Sequence, residues 1–265
     1  MTDLGDLIFR TCDDEGEIHV YQNACCRYLT FGNHVEQSCI ELAVPARLAY
    51  VYTQAMMLAL LLHPAPRRAL LLGVGGGSLV RALRAADRAL HVIGVERRAA
   101  VIDAAHAYFG LPDDRHVRIV CDDADRFLAA CDQQFDLLFA DLYMADGMCP
   151  RQVAPDFLLH CRSRLAGNGV LVVNQWSSEF AGNRAALVAL NEVFDGRVVN
   201  LHAQGGNILS FAFHDALPDL HRDAWFDAAQ ALGLKLSIPL QRHARNLWRQ
   251  NAEVLRSGRF RRLPR

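Results

Sequence analysis

The sequence lacks several features that mark a specialised chemistry. Its eight cysteines, Cys12, Cys25, Cys26, Cys39, Cys121, Cys131, Cys149 and Cys161, include no Cys-x-x-Cys pair, which excludes the usual metal-ribbon and thiol-redox spacings. A chain of 265 residues needs no disulfide staples to complete a core, so a reducing, cytoplasmic compartment is expected. The net charge of −1 provides no global basic field for nucleic acid or an anionic membrane. The longest apolar run, "AMMLALLLHPA", is too short to span a bilayer. The opening "MTDLGDLIF" has no basic segment followed by an apolar one, as an export signal would. Internal repeats and long linkers are also missing. Cys121 and Cys161 lie in apolar or helical runs and read as small core residues.

What is present is an ordinary globular composition, 52% hydrophobic and 22% charged. Charge gathers at one end: "QRHARNLWRQNAEVLRSGRFRRLPR" carries eight arginines against one glutamate. It reads as a solvated basic helix and tail, the other reading being a docking surface for an acidic partner or nucleic acid. Residues 1–45 alternate in the manner of short antiparallel strands: "EIHVYQN", "CRYLTFG" and "HVEQSCIEL", with turns at Asn23-Ala24 and Gly32-Asn33. From Pro45, "ARLAYVYTQAMMLALLL" predicts one helix. From Arg68 the pattern then alternates strand and helix. The strands are "RALLLG", "HVIGVE", "HVRIVC", "FDLLFAD" and "VLVVNQW", and "APDFLLHCRSRLAGNG" predicts a helix just before the last of them. "RVVNLHA" and "GNILSFAFH" form a closing hairpin. The pattern predicts an α/β fold: a doubly wound, mostly parallel, seven-stranded Rossmann-like sheet with an antiparallel hairpin, behind a small β-meander.

Ligands of such sheets sit beyond the carboxyl ends of the strands. In order, those ends carry Gly73, Gly75, Gly76, Gly77 and Ser78; then Glu96; then Asp122 and Asp123; then Asp141. Glycines let a ligand approach the backbone, and the following helix start offers N–H groups. Glu96, 19 residues past Gly77, is placed for the two hydroxyls of a ribose. An acid at the third strand end can accept from an adenine amine, and one at the fourth can face a reacting centre. Asp122 or Asp123 also fits as a helix cap for "ADRFL". A nicotinamide site needs the glycines and the ribose acid but not two further acids, so the pattern favours a nucleoside without pyrophosphate, as in an S-adenosyl donor. Tyr143, two residues past Asp141, is a candidate catalytic hydroxyl or aromatic wall, and Tyr52 and Gln54, on the helix before the glycine turn, are candidate substrate contacts. Asn174, Gln175 and Trp176 are candidates for the acceptor side.

These segments, in this order, resemble the spermidine synthase (aminopropyltransferase) family, within the class I methyltransferase-like fold. The likeness covers roughly residues 16–215 and rests on "GEIHVYQNACCRYLTFG", "YVYTQAMM", "GVGGGS", Glu96, "CDDADRFL" and "FDLLFADLY". It implies a catalytic domain over residues 46–265, a homodimer, a decarboxylated S-adenosylmethionine or S-adenosylmethionine co-substrate without metal, a small amine acceptor, Asp123 at adenine and Asp141 as catalytic acid. The sequence departs from the family where polyamine-binding acids stand: Gly76 replaces an acid of the glycine loop, Gln54 a glutamate, Leu48 and Ala49 two preceding acids, and Met144 another, with Asp146 nearby. A family glutamine aligns near Gly16, and "LHAQGGN" replaces a tyrosine-containing motif. Aminopropyl transfer is the reaction that the resemblance implies, and the missing acids motivate a second reading. Methyl transfer from intact S-adenosylmethionine is the alternative, its carboxylate meeting N–H groups at Gly76. A non-catalytic nucleoside- or partner-binding protein is the second alternative.

Overall fold

In a computed structural model, residues 3–63, 65–176, 180–217 and 220–257 are described. Four antiparallel strands come first, β1 (Asp6–Asp13), β2 (Gly16–Gln22), β3 (Cys26–Thr30) and β4 (Glu36–Glu41), paired in that order. The last three match the alternation read from the sequence. The first was not foreseen: β1 is an edge strand exposed along most of its length, so no buried alternation marks it.

The helix expected from Pro45 starts later and is broken, into α1 (Val51–Met56) and α2 (Ala59–Leu62). The preceding backbone is held otherwise. Leu48 bridges to Ile40, and its carbonyl accepts Gln54 Nε2 at 2.8 Å. Then follow β5 (Arg68–Leu72), α3 (Ser78–Ala86), β6 (His91–Glu96), α4 (Ala99–Phe109), β7 (Val117–Cys121), α5 (Ala124–Ala130) and β8 (Phe135–Ala140). A two-residue ribbon, β9 (Tyr143–Met144) and β10 (Gly147–Met148), precedes α6 (Pro155–Ser163). The helix expected to run to Gly169 stops at Ser163, because Leu165 already pairs with Phe135 at the start of the long strand β11 (Leu165–Trp176). After α7 (Phe180–Val193), β12 (Val198–His202) and β13 (Asn207–Phe213) form the expected hairpin. The chain continues with α8 (Arg222–Leu236), unforeseen from the sequence, α9 (Leu240–Gln250) and α10 (Ala252–Ser257).

The main sheet runs β12-β13-β11-β8-β5-β6-β7, with β13 antiparallel to both neighbours and the other pairs parallel. Successive residues of β5 serve opposite faces. Ala69 and Leu71 join the core under α3, α8 and α9, and Leu70 and Leu72 the core under α5 and α6. Chain order reverses at β5, so the crevice opens where β5 and β8 end. On α9, Leu240, Ala244, Leu247 and Trp248 are buried while Arg242, Arg245 and Arg249 face out. Arg259, Arg261, Arg262 and Arg265 lie outside the described residues. Cys161 is buried as expected, whereas Cys121 is exposed at the end of the outermost strand.

The meander seats Ile18, Val20, Leu29 and Ile40 on Val101, Ala104 and Phe109 of α4. Two arginines fasten it. Arg98 donates to Asp13 Oδ2 (2.9 Å) and Oδ1 (2.7 Å) and to the Gly16 carbonyl (2.7 Å), which holds the Asp13 carboxyl below its usual range. Arg81, 7% exposed, donates to the carbonyls of Gly76 (2.6 Å), Phe109 (2.6 Å) and Pro45 (3.0 Å) and to Ser78 Oγ (3.0 Å). Burial lowers its pKa to about 10, which leaves it cationic at neutral pH.

Arg81→Leu leaves the carbonyls of Gly76 and Phe109 buried without a donor. It should cost at least ~2 kcal/mol, read by calorimetry as a Tm lower by at least ~4 °C. An unchanged Tm would mean that other contacts suffice to hold the turn.

Candidate active site

The glycine turn follows β5. Gly73, at φ 89°, lies so close to the end of β8 that a Cβ would stand 2.4 Å from the Asp141 carbonyl; only glycine brings these strand ends together. Gly76 is also irreplaceable, for a different reason. A Cβ there would meet Ser38 Cβ at 2.9 Å and the Phe109 ring at 3.0 Å. Gly76 therefore faces the meander, contrary to the expectation that it meets the donor, and its N–H donates to Ser38 Oγ at 2.8 Å. Gly77 caps α3 in the left-handed conformation and faces Leu111. Gly73 and Gly75 line the cavity; Gly76 and Gly77 do not.

Every N–H of the turn has a protein acceptor. Gly73 donates to Val95 O (2.9 Å), Val74 and Gly75 to Glu96 Oε2 (3.2 Å each), and Gly77 to Val74 O (2.9 Å). The backbone donors that were expected to receive a donor carboxylate are thus already engaged. Glu96 ends β6 beside the cavity and also accepts from Arg98 N. Asp123 caps α5 by accepting from the N–H groups of Asp125 (2.9 Å) and Arg126 (3.2 Å), while Asp122 pairs with Arg126. Both line the cavity as well as serving the helix start.

Asp141 follows β8 and is withdrawn from water. Burial pushes its pKa up to about 6, against the opposing effect of a hydrogen bond from Asn174 Nδ2 (2.8 Å). Asn174 is itself held: its Oδ1 accepts from Asn207 Nδ2 (2.9 Å) and its carbonyl from Gln152 Nε2 (2.9 Å). Gln152 Oε1 accepts from Leu142 N (2.9 Å), next to the acid. Tyr52 stands close enough to Asp141 and Tyr143 for their charge to add to its burial, and its phenol stays far above its ordinary pKa. Gln54 turns the other way, toward Leu48 O and His243 on α9, so it is not a wall of the site. Alternation along β11 separates Asn174 and Trp176, which line the cavity, from Gln175, which donates to Ser210 Oγ (2.7 Å) behind the sheet.

These groups surround a cavity of about 870 Å³. The β9–β10 ribbon crosses one side, tied to the meander by Asn33 Nδ2 to Ala145 O (2.7 Å) and Gln37 Nε2 to Met144 O (3.5 Å). Of the arginines that line the cavity, Arg97 pairs with Glu15, Arg98 with Asp13, and Arg151 with Asp125 and Asp156. Among the described residues Glu36, Glu96, Asp123, Asp141 and Asp146 line the cavity without a cationic partner. The chamber is anionic. Glu36 and the Asn207–Asn174–Asp141 chain were not read as a unit from sequence, since an acid on an alternating strand looks like any solvated residue. Among the described residues no group of three or more His, Cys, Asp or Glu is arranged to hold a metal ion, and no helix is long and apolar enough to cross a membrane.

Residues 49–191 match the spermine/spermidine synthase domain, and that stretch holds the turn and all of the strand-end acids. The chain belongs to the spermine/spermidine synthase family. Family members similar to it include the polyamine aminopropyltransferase of Chromobacterium violaceum, 29% identical over 202 residues, 76% of this chain and 77% of that protein. A probable spermidine synthase from Corynebacterium glutamicum superposes with a TM-score of 0.70 at 19% identity, over 89% of this chain and 88% of the other. Human methyltransferase-like protein 13, solved with S-adenosylhomocysteine, superposes with a TM-score of 0.63 at 21% identity, over 72% of this chain and 94% of the other. The spermine/spermidine synthase family and the methyltransferases thus share this sheet, and side chains must tell them apart.

The Asp141 carboxyl should titrate near pH 6 in a ¹³C NMR experiment. Asn174→Ala removes a donor that favours the ionised form, so the midpoint should move to higher pH. An unmoved midpoint would discount that contact. With a folded pKa above 3.8, ionising Asp141 costs stability as pH rises from about 4 to about 6, and Asp141→Asn should flatten this slope.

Proposed function

We propose that this chain transfers the aminopropyl group of decarboxylated S-adenosylmethionine to the nitrogen of a small amine, releasing methylthioadenosine. The charge of the chamber carries this reading: unpaired carboxylates line it, and the turn beside them has no N–H from Gly73 to Gly77 to spare. A cationic substrate gains from those carboxylates, whereas the carboxylate of intact S-adenosylmethionine would meet repulsion and no free N–H of the glycine turn. Methyl transfer is disfavoured on that ground. A purely binding role leaves the half-buried, oriented Asp141 without a purpose.

In this reading Glu96 accepts from the ribose hydroxyls while positioning the turn, and Asp122 and Asp123 face the adenine amine. Tyr52, Tyr143 and Trp176 wall the reacting groups. The acceptor enters as an ammonium, with a pKa of about 10 when free. Ionised Asp141 draws it in, takes one proton and leaves a nitrogen lone pair aimed at the carbon beside sulfur. The N–C bond forms as the C–S bond breaks. The bonding pair stays on sulfur, so the sulfonium becomes a neutral thioether. The proton on Asp141 returns to solvent.

Purified protein supplied with decarboxylated donor and a panel of diamines should release methylthioadenosine, and intact S-adenosylmethionine should yield no S-adenosylhomocysteine. The reverse pattern would establish methyl transfer. Activity at limiting substrate should rise with pH through about 6 as Asp141 ionises. Asp141→Asn should lower kcat by ~10²-fold or more with donor affinity nearly unchanged; an equal loss in both would make it a binding residue. Glu96→Gln should weaken donor binding by about tenfold, and unaltered affinity would remove it from the ribose.

A further inference from the structure

Strand β4 runs alongside the glycine turn, joined to it by the Gly76 N–H to Ser38 Oγ bond. Two residues earlier on the strand, Glu36 lines the same cavity. Its Oε2 accepts the Tyr50 hydroxyl at 2.8 Å. Burial and the Glu36 charge keep that phenol protonated, so the bond persists across the working pH range. The carboxylate is half-buried and has no cationic partner among the described residues. The Tyr50 ring stacks on Tyr52, with centroids 5.9 Å apart and planes at 11°, and the phenol of Tyr52 feels the charge of Asp141. One wall of the chamber therefore reads carboxylate, two aromatic rings, carboxylate.

That order suits a ligand with positive charge at two separated points. An oriented carboxylate gives an ammonium a charge-assisted hydrogen bond, and flanking aromatic rings add cation–π attraction. The turn itself cannot carry such a charge, since Ser38 and Phe109 fill the space a side chain at position 76 would need. The neighbouring strand supplies it instead. We infer that Glu36, held by Tyr50, binds the ammonium of the donor's aminopropyl group. The inference rests on the aminopropyl-transfer reading. It assigns Glu36 to the donor rather than the acceptor because β4 is bonded to the turn that cradles the nucleoside, while Asp141 lies at the other end of the wall.

Calorimetry with two thioethers isolates the contact. Methylthioadenosine and 5′-(3-aminopropyl)thioadenosine share the nucleoside and a neutral sulfur, and only the second carries the ammonium. In Glu36→Gln, whose amide oxygen still accepts from Tyr50, affinity for the aminopropyl compound should fall about tenfold or more while methylthioadenosine binds as before. Tyr50→Phe, which keeps the carboxylate and frees it to turn, should give a smaller loss confined to the same compound. Equal losses for both compounds would make Glu36 a structural residue. No loss for either, or a rise only in the acceptor's KM, would remove Glu36 from the donor ammonium. If the wild-type protein instead binds intact S-adenosylmethionine in preference and releases S-adenosylhomocysteine, the aminopropyl reading itself fails and the assignment falls with it; that outcome is seen without any variant.

Discussion

The structure depends on one buried cation. Arg81 leaves the first turns of α3 and ties together the glycine turn, the end of α4 and the segment at Pro45 by donating to a carbonyl of each. These three pieces come from different parts of the chain and have no regular pairing with one another. Without a common donor, their carbonyls would be buried unsatisfied. Arg98 acts in parallel at the start of α4, where it reaches Asp13 and Gly16 on the first hairpin. The meander is thus fastened at both ends of one helix, and the cavity is the space left between meander and sheet.

Inside that space the balance of charge is deliberate in a physical sense. Most arginines near the cavity are consumed by ion pairs with partners of their own, which leaves the remaining carboxylates to whatever ligand arrives. Asp141 bears the largest consequence, because desolvation raises its pKa while the hydrogen bond from Asn174 limits the rise, and a chain of two amides, Asn174 and Asn207, fixes its orientation. A carboxyl poised near neutrality changes protonation state at low cost, which suits the role proposed for it of attracting a cation and taking its proton.

Much of this was legible in the sequence, for identifiable reasons. The strand ends announced themselves, since apolar runs stop abruptly at Gly73, Glu96, Asp122 and Asp141 and topology brings such ends to one edge. The hairpin of β12 and β13 was equally plain from its alternation. The strand β1 was not, because its half-covered face carries one apolar side chain, Phe9, beside Thr11 and Asp13, and so shows no apolar alternation to read. Nor was the break between α1 and α2, where no proline or glycine interrupts the run. In the site, Gly76 was singled out correctly as unusual, but its direction depends on Ser38 and Phe109, residues 38 and 33 positions away, and no local pattern encodes such a contact. Gln54 was misplaced for the same reason, since its partner His243 lies on a helix at the other end of the chain. Glu36 escaped notice because its meaning comes from Tyr50 opposite it.

The saturation of the glycine turn separates heritable scaffold from adjustable taste. A turn that spends every amide on its own protein exerts no choice of its own between one sulfonium tail and another. In the proposed reading, choice passes to side chains on β4, α1 and the β9–β10 ribbon, which can be exchanged one at a time without unsettling the turn. Divergence in such a protein can then proceed by single surface-of-cavity substitutions, each leaving a foldable molecule for the next to act upon.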